Sequence, residues 1–192
     1  MRRIFPTARV RGYTLLELMV VLLILGSVAA MAQLGSTPVR PAQLDAAARD
    51  VVQLLRFAQS EAIRTGDWRT VDCNQASNTL RIYALNMAPK PPIEDTARPI
   101  MHPIDKKNYT LVLSNRQGAG AARIDSCAFA YSGGSAGANL VSFGPDGAPV
   151  YVGGKNTSDV RQLTSGTVQL SAGLGRRIIS IDSLTGRVSV SS

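Results

Sequence analysis

Histidine is all but missing from this 192-residue chain: His102 is the only one, and Trp68 is the only tryptophan. His102 is flanked by Met101 and Pro103, and no motif sets a serine or cysteine nucleophile beside it. A lone imidazole so placed cannot complete a triad, and His102 reads as a solvated loop residue. Cysteine is scarce as well. Cys73 and Cys127 stand 54 residues apart, and even with the histidine they show no zinc-ligand spacing. Acids are scattered. Glu94 and Asp95 form the only adjacent acidic pair, with nothing of a calcium loop around them. The Gly-rich run at 132–138 is followed by neither Lys-Ser/Thr nor a helix, so it reads as a mobile loop and not a phosphate cradle. No internal repeat is visible. These absences leave no catalytic constellation, and the expectation is a non-enzyme with no metal and no cofactor.

Charge is missing where it matters most. From Leu18 to Leu34 there is no charged residue. With Tyr13 to Glu17 added, the segment at about 1.5 Å per residue is roughly 33 Å long, enough to cross a bilayer. Upstream lie Arg2, Arg3, Arg9 and Arg11 with no acid, which by the positive-inside rule puts residues 1–12 in the cytoplasm and the chain after Leu34 in the periplasm or exterior. The formal net charge is +8, but half of it belongs to those four arginines. What remains permits a polyanion partner without requiring one.

Into this apolar run one acid intrudes. Glu17 lies in Gly12-Tyr13-Thr14-Leu15-Leu16-Glu17-Leu18, and an ionisable group in such surroundings needs a partner. A cut after Gly12 would expose an α-amino group on Tyr13, four residues and one helical turn before Glu17. This stretch, behind its short basic leader, resembles the class III signal of type IV prepilins and type II secretion pseudopilins. The resemblance implies that a membrane-embedded prepilin peptidase cuts after Gly12 and methylates Tyr13. It also implies that Glu17 pairs with the N-terminal amine of a neighbouring subunit during filament assembly. Tyr13 stands where the family usually has Phe. The competing reading is an ordinary secretory signal, cut after Ala30-Met31-Ala32 so that the mature chain starts at Gln33.

Beyond Gly35 and Pro38 the pattern turns amphipathic. Leu44, Ala47, Ala48, Val51, Leu54, Leu55, Ala58 and Ala62 fall at helical spacing, which predicts a helix within 35–66 that stops at Gly66 and is kinked or broken from the first segment at Pro38 and Pro41. The period then becomes two. Strands are expected at 70–73, 80–85, 109–114, 128–131, 140–143, 150–152, 167–170, 177–181 and 188–190. Gly144-Pro145-Asp146-Gly147 is expected as a turn, and Ser183-Leu184-Thr185-Gly186 as the link of a final hairpin. Five prolines between Asn86 and Lys107 argue for an exposed loop there. In an exported head Cys73 and Cys127 could bridge, contributing roughly 4 kcal/mol on the loop-entropy model, or remain two buried thiols.

Helix first and sheet after, the order is similar to that of the GspH/FimT family of minor pseudopilins and minor pilins. Ala58-Gln59-Ser60-Glu61-Ala62 resembles that family's Ala-Arg-Ser-Glu-Ala helix end, with Gln59 in place of the Arg. Val141 to Gly147 resembles its Phe-x-x-x-Gly turn, and Thr185-Gly186-Arg187-Val188 its terminal strand. The resemblance implies an α+β, pilin-like fold: leader 1–12, hydrophobic membrane or filament-core helix 13–34, amphipathic helix 35–66 and β-rich periplasmic head 67–192. It implies a single-pass inner-membrane subunit whose partners are prepilin peptidase and other pilins or pseudopilins, most closely the H-type subunit of a type II secretion pseudopilus. A minor type IV pilin is the alternative. Some family members bind DNA through a C-terminal Gly-Arg-x-Arg motif. Gly186-Arg187-Val188-Ser189 has the first Arg and lacks the second, which leaves Arg176, Arg177 and Arg187 as candidate polyanion contacts.

Overall fold

The computed structural model describes residues 14–34, 40–113, 122–134, 136–153 and 159–191. The leader, Gly12, Tyr13 and Pro38 lie outside them. Two compact units divide between Val39 and Arg40. The first contains helix α1 (Leu15–Leu34), whose 20 residues rise about 30 Å at 1.5 Å each. Its side chains are described as far as Ser27, and those from Leu15 to Leu25 are exposed and apolar on every side of the helix except at Glu17. Among the described residues, no helix is long and apolar enough to cross a membrane.

The second unit opens with helix α2 (Arg40–Thr65). Pro41 is its second residue, where a missing N–H forfeits no helical bond, so this proline starts a helix instead of kinking one. The expected stripe from Leu44 to Ala62 is the buried face, each member 2% exposed or less. The helix ends as its sequence dictates: Gly66 takes φ +71° and donates its N–H to the Ala62 carbonyl at 2.9 Å.

Among the described residues eleven strands follow: β1 (Arg69–Asn74), β2 (Thr79–Asn86), β3 (Ile93–Glu94), β4 (Thr110–Val112), β5 (Arg123–Tyr131), β6 (Ala136–Ala138), β7 (Leu140–Phe143), β8 (Pro149–Val152), β9 (Val160–Ala172), β10 (Gly175–Ile181) and β11 (Val188–Ser191). All their pairings are antiparallel. One sheet runs β8-β7-β1-β2, with β3 and β4 sharing the free edge of β2. The other runs β11-β10-β9-β5-β6. Strand β9 belongs to both: Val160 to Gln162 pair with β8, and Gly166 to Ala172 pair with β10. Helix α2 packs against both sheets over a core that includes Leu54, Leu55, Leu80, Phe143, Leu170 and Ile179.

Each of the nine expected strands is present, and two more lie in stretches read as loops. Strand β3 sits in the Pro-rich segment as a two-residue edge, a position that tolerates nearby proline. That segment is also not wholly exposed, since Ile100 is buried in the main core. Strand β6 occupies the end of the Gly-rich run and pairs with β5.

Candidate functional site

Thr14 precedes the first helical residue, and its Oγ1 accepts the Glu17 N–H at 3.3 Å while its carbonyl accepts the Glu17 and Leu18 N–H groups at 3.1 and 3.3 Å. This is N-capping by a residue type suited to it. Thr14-x-x-Glu17 also has the spacing of a capping box, a helix-start signal carried by the same residues as the cleavage motif. Glu17 therefore stands in the first turn of α1, where the helix dipole favours a carboxylate.

In the head, Cys73 on β1 and Cys127 on β5 are joined in a disulfide with Cα atoms 6.4 Å apart, so the bond ties the first sheet to the second. A polar clip lies nearby. Asn78, in the β1–β2 turn at φ 56°, accepts the Ile124 N–H on Oδ1 at 2.8 Å and donates Nδ2 to the Ala122 carbonyl at 3.0 Å. Tyr131 adds a third link, donating its hydroxyl to the Leu140 carbonyl at 2.6 Å.

The three head segments that carry the family resemblance converge on Gln59. From α2 its Nε2 donates to the Gly147 carbonyl at 2.9 Å and to the Thr185 carbonyl at 2.8 Å, clamping the β7–β8 and β10–β11 turns to the helix. Both turns need glycine at the clamp. Gly147 and Gly186 have φ +79° and +68°, and a β-carbon on Gly186 would lie 2.6 Å from Gln59 Nε2 and 3.0 Å from the Gly147 carbonyl oxygen. Asp182 organises the second turn, accepting the Thr185 N–H at 2.8 Å, and these Thr185 bonds hold its carboxyl below the usual range. Replacing Gln59 by Leu leaves two carbonyls without their donor. We expect a loss of about 1–2 kcal/mol in urea denaturation followed by Trp68 fluorescence, and a loss near zero would mean that water replaces both bonds.

Residues 7–33 match the prokaryotic N-terminal methylation motif, with Gly12, Tyr13 and Glu17 inside the match. The match covers the N-terminal segment of the chain and carries a prepilin-type signal there. No curated protein matches it. Among solved structures, the minor pseudopilin EpsH of the Vibrio cholerae type 2 secretion system is similar at TM-score 0.48 and 14% identity, over 78% of this chain and 97% of that one. The type IV minor pilin FimU of Pseudomonas aeruginosa is similar at TM-score 0.43 and 14% identity, over 78% of this chain and 88% of that one.

The candidate polyanion residues do not gather into one patch. Arg177 points to α2 and pairs with Asp45 at 2.8 Å. Arg176 and Arg187 are exposed but flank opposite ends of β10. The register places Arg176 beside a different partner, since Arg176 and Arg123 both lie opposite Ser171 of β9. His102 is less solvated than expected: its ring meets Tyr109 edge-on at 4.6 Å, and Nδ1 lies 3.1 Å from Asp105 Oδ1. Among the described residues no group of His, Cys, Asp and Glu could hold a metal ion.

Proposed function

We propose that this prepilin-type chain is a minor pseudopilin of a type II secretion system. It is cut after Gly12, methylated on Tyr13, anchored in the inner membrane by the apolar segment 13–34, and drawn into a periplasmic pseudopilus near its tip. The methylation motif over residues 7–33 carries this reading. Support comes from the helix-then-sheet architecture and from the meeting of the three family-like segments at Gln59. In the filament Glu17 answers the Tyr13 amine of a neighbouring subunit, because a carboxylate in an apolar bundle needs a cation. The role is mechanical: the head displays surface, and the first helix supplies the filament's core.

The test is the mass of the mature protein made with its processing enzyme. A chain beginning at methylated Tyr13 is expected, and Gly12→Arg should leave the leader attached. Glu17→Ala should be processed normally and then fail to enter filaments. A mature start at Gln33 would overturn the proposal. A minor type IV pilin would give the same mass and is separated by location, in surface pili instead of a secretion pseudopilus.

A further inference from the structure

The β9–β10 hairpin closes in a two-residue turn, Gly173-Leu174, because Ala172 and Gly175 are its last paired residues. Gly173 takes φ +63°, and Leu174 at the tip is 108% exposed. Turns this short favour asparagine, aspartate and glycine. An exposed leucine alone carries no message, but the position of this one does. The tip lies at the start of α2: a β-carbon on Gly175 would meet Leu44 at 3.2 Å, and Arg177 pairs with Asp45 at 2.8 Å. The opposite end of β10 leads into the turn that Gln59 clamps. Helix α2 starts six residues after Leu34, where the uncharged segment ends, and six peptide links extend at most about 22 Å. The connection alone therefore tethers this end of the head close to that segment.

Behind Leu174 stands a row of charge. Arg176 of β10, Ser171 of β9 and Arg123 of β5 are paired side by side, and since Leu170 and Ala172 are buried, this row lies on the outer face of the second sheet. Both arginines are exposed, and neither has an ion-pair partner among the described residues. Arg40, the first residue of α2, adds a charge at the same end. Of the carboxylates there, Asp45 is matched by Arg177, Asp125 accepts the Ser171 hydroxyl at 2.7 Å, and Asp72 shares an open cleft with Arg123 from further along β1. The β1–β2 turn beside them, Gln75 to Asn78, is uncharged. A rigid apolar tip backed by two arginines on apolar stems suits the boundary of a bilayer, where leucine enters the acyl layer and guanidinium groups stay among phosphates. A soluble polyanion would engage the arginines and leave Leu174 in water. An apolar protein surface would bury Leu174 and strip both guanidinium groups of water.

We propose that before assembly the head rests on the anionic lipid surface that holds its own N-terminal segment, with Leu174 inserted at the acyl boundary and Arg123 and Arg176 on lipid phosphates. The inference rests on the membrane anchoring proposed above. The sequence has two cysteines and both are bridged, so Leu174→Cys and, at the opposite end of the head, Leu184→Cys each supply one free thiol for an environment-sensitive fluorophore. Each labelled full chain is reconstituted into vesicles of phosphatidylcholine, with or without added phosphatidylglycerol, that carry a spin-labelled lipid quencher. Flotation of the vesicles measures anchoring separately. On anionic vesicles the label at 174 should be quenched several-fold more than the label at 184, a leucine site that is 77% exposed. Arg123→Gln with Arg176→Gln should lower the docked-to-free ratio of the 174 label about thirtyfold, the equivalent of about 2 kcal/mol at a charged bilayer surface. A chain that floats while its 174 label stays in water, as it would if the tip served another protein, overturns this proposal and leaves the anchor standing. Equal quenching of the two labels, equal quenching on neutral vesicles, or indifference to the arginine substitutions overturns it as well. A chain that does not float overturns the anchoring and this proposal with it.

Discussion

Replacing Cys73 and Cys127 together by Ala is expected to lower the stability of the head by about 4 kcal/mol, the loop-entropy value for a bridge closing a chain separation of this length. The bridge spans 54 residues and joins β1 to β5, and this separation makes its effect large. Set against a typical domain stability of roughly 5–15 kcal/mol, such a loss should bring the unfolding midpoint down sharply. Native geometry should survive, because Asn78 and Tyr131 still connect the same regions by hydrogen bonds. Urea denaturation in detergent, read from Trp68, measures the difference. Reduction of the parent chain with a dithiol should reproduce it. A loss under about 1 kcal/mol would mean that the bridge contributes little beyond the packing around it.

Phe143→Ala should cost about 3–5 kcal/mol, the range for removing a fully buried aromatic ring. The ring is 0% exposed, on β7 beneath α2, and its backbone pairs with Arg69 on one side and Pro149 on the other. A void there cannot collapse easily. Strands on both flanks hold β7 in place, and the turn that follows is clamped by Gln59. Phe143→Leu, which restores most of the volume, should recover most of the stability. If Ala and Leu proved equally costly, ring shape and not burial would set the energy, and the cavity argument would fail.

Much of this architecture is legible in the residues. The stripe from Leu44 to Ala62, the stop at Gly66 and the strand 140–143 followed by Gly144-Pro145-Asp146-Gly147 all follow from local rules of period and turn chemistry. What escaped is non-local. Strand β9 was legible only over 167–170, because its first half is polar and interrupted by Gly166. That glycine is there for contact: a β-carbon would lie 3.0 Å from Leu163 and 3.2 Å from Phe129. Prolines hid β3, since a density of proline argues against central strands but not against edges. The pairing of Arg177 with Asp45 joins residues 132 positions apart, and no local pattern announces it. Gln59 could be noticed as a departure from a motif, yet its two acceptors come from turns 88 and 126 residues away.

The continuity of β9 through both sheets governs how the head responds to force. A head made of two separate sheets could shear at the boundary between them. Here thirteen residues of one backbone run through that boundary, laddered to β8 at one end and to β5 and β10 along the other. Sliding one sheet over the other must break these ladders together. A push applied at one sheet therefore passes to the other along the backbone of β9.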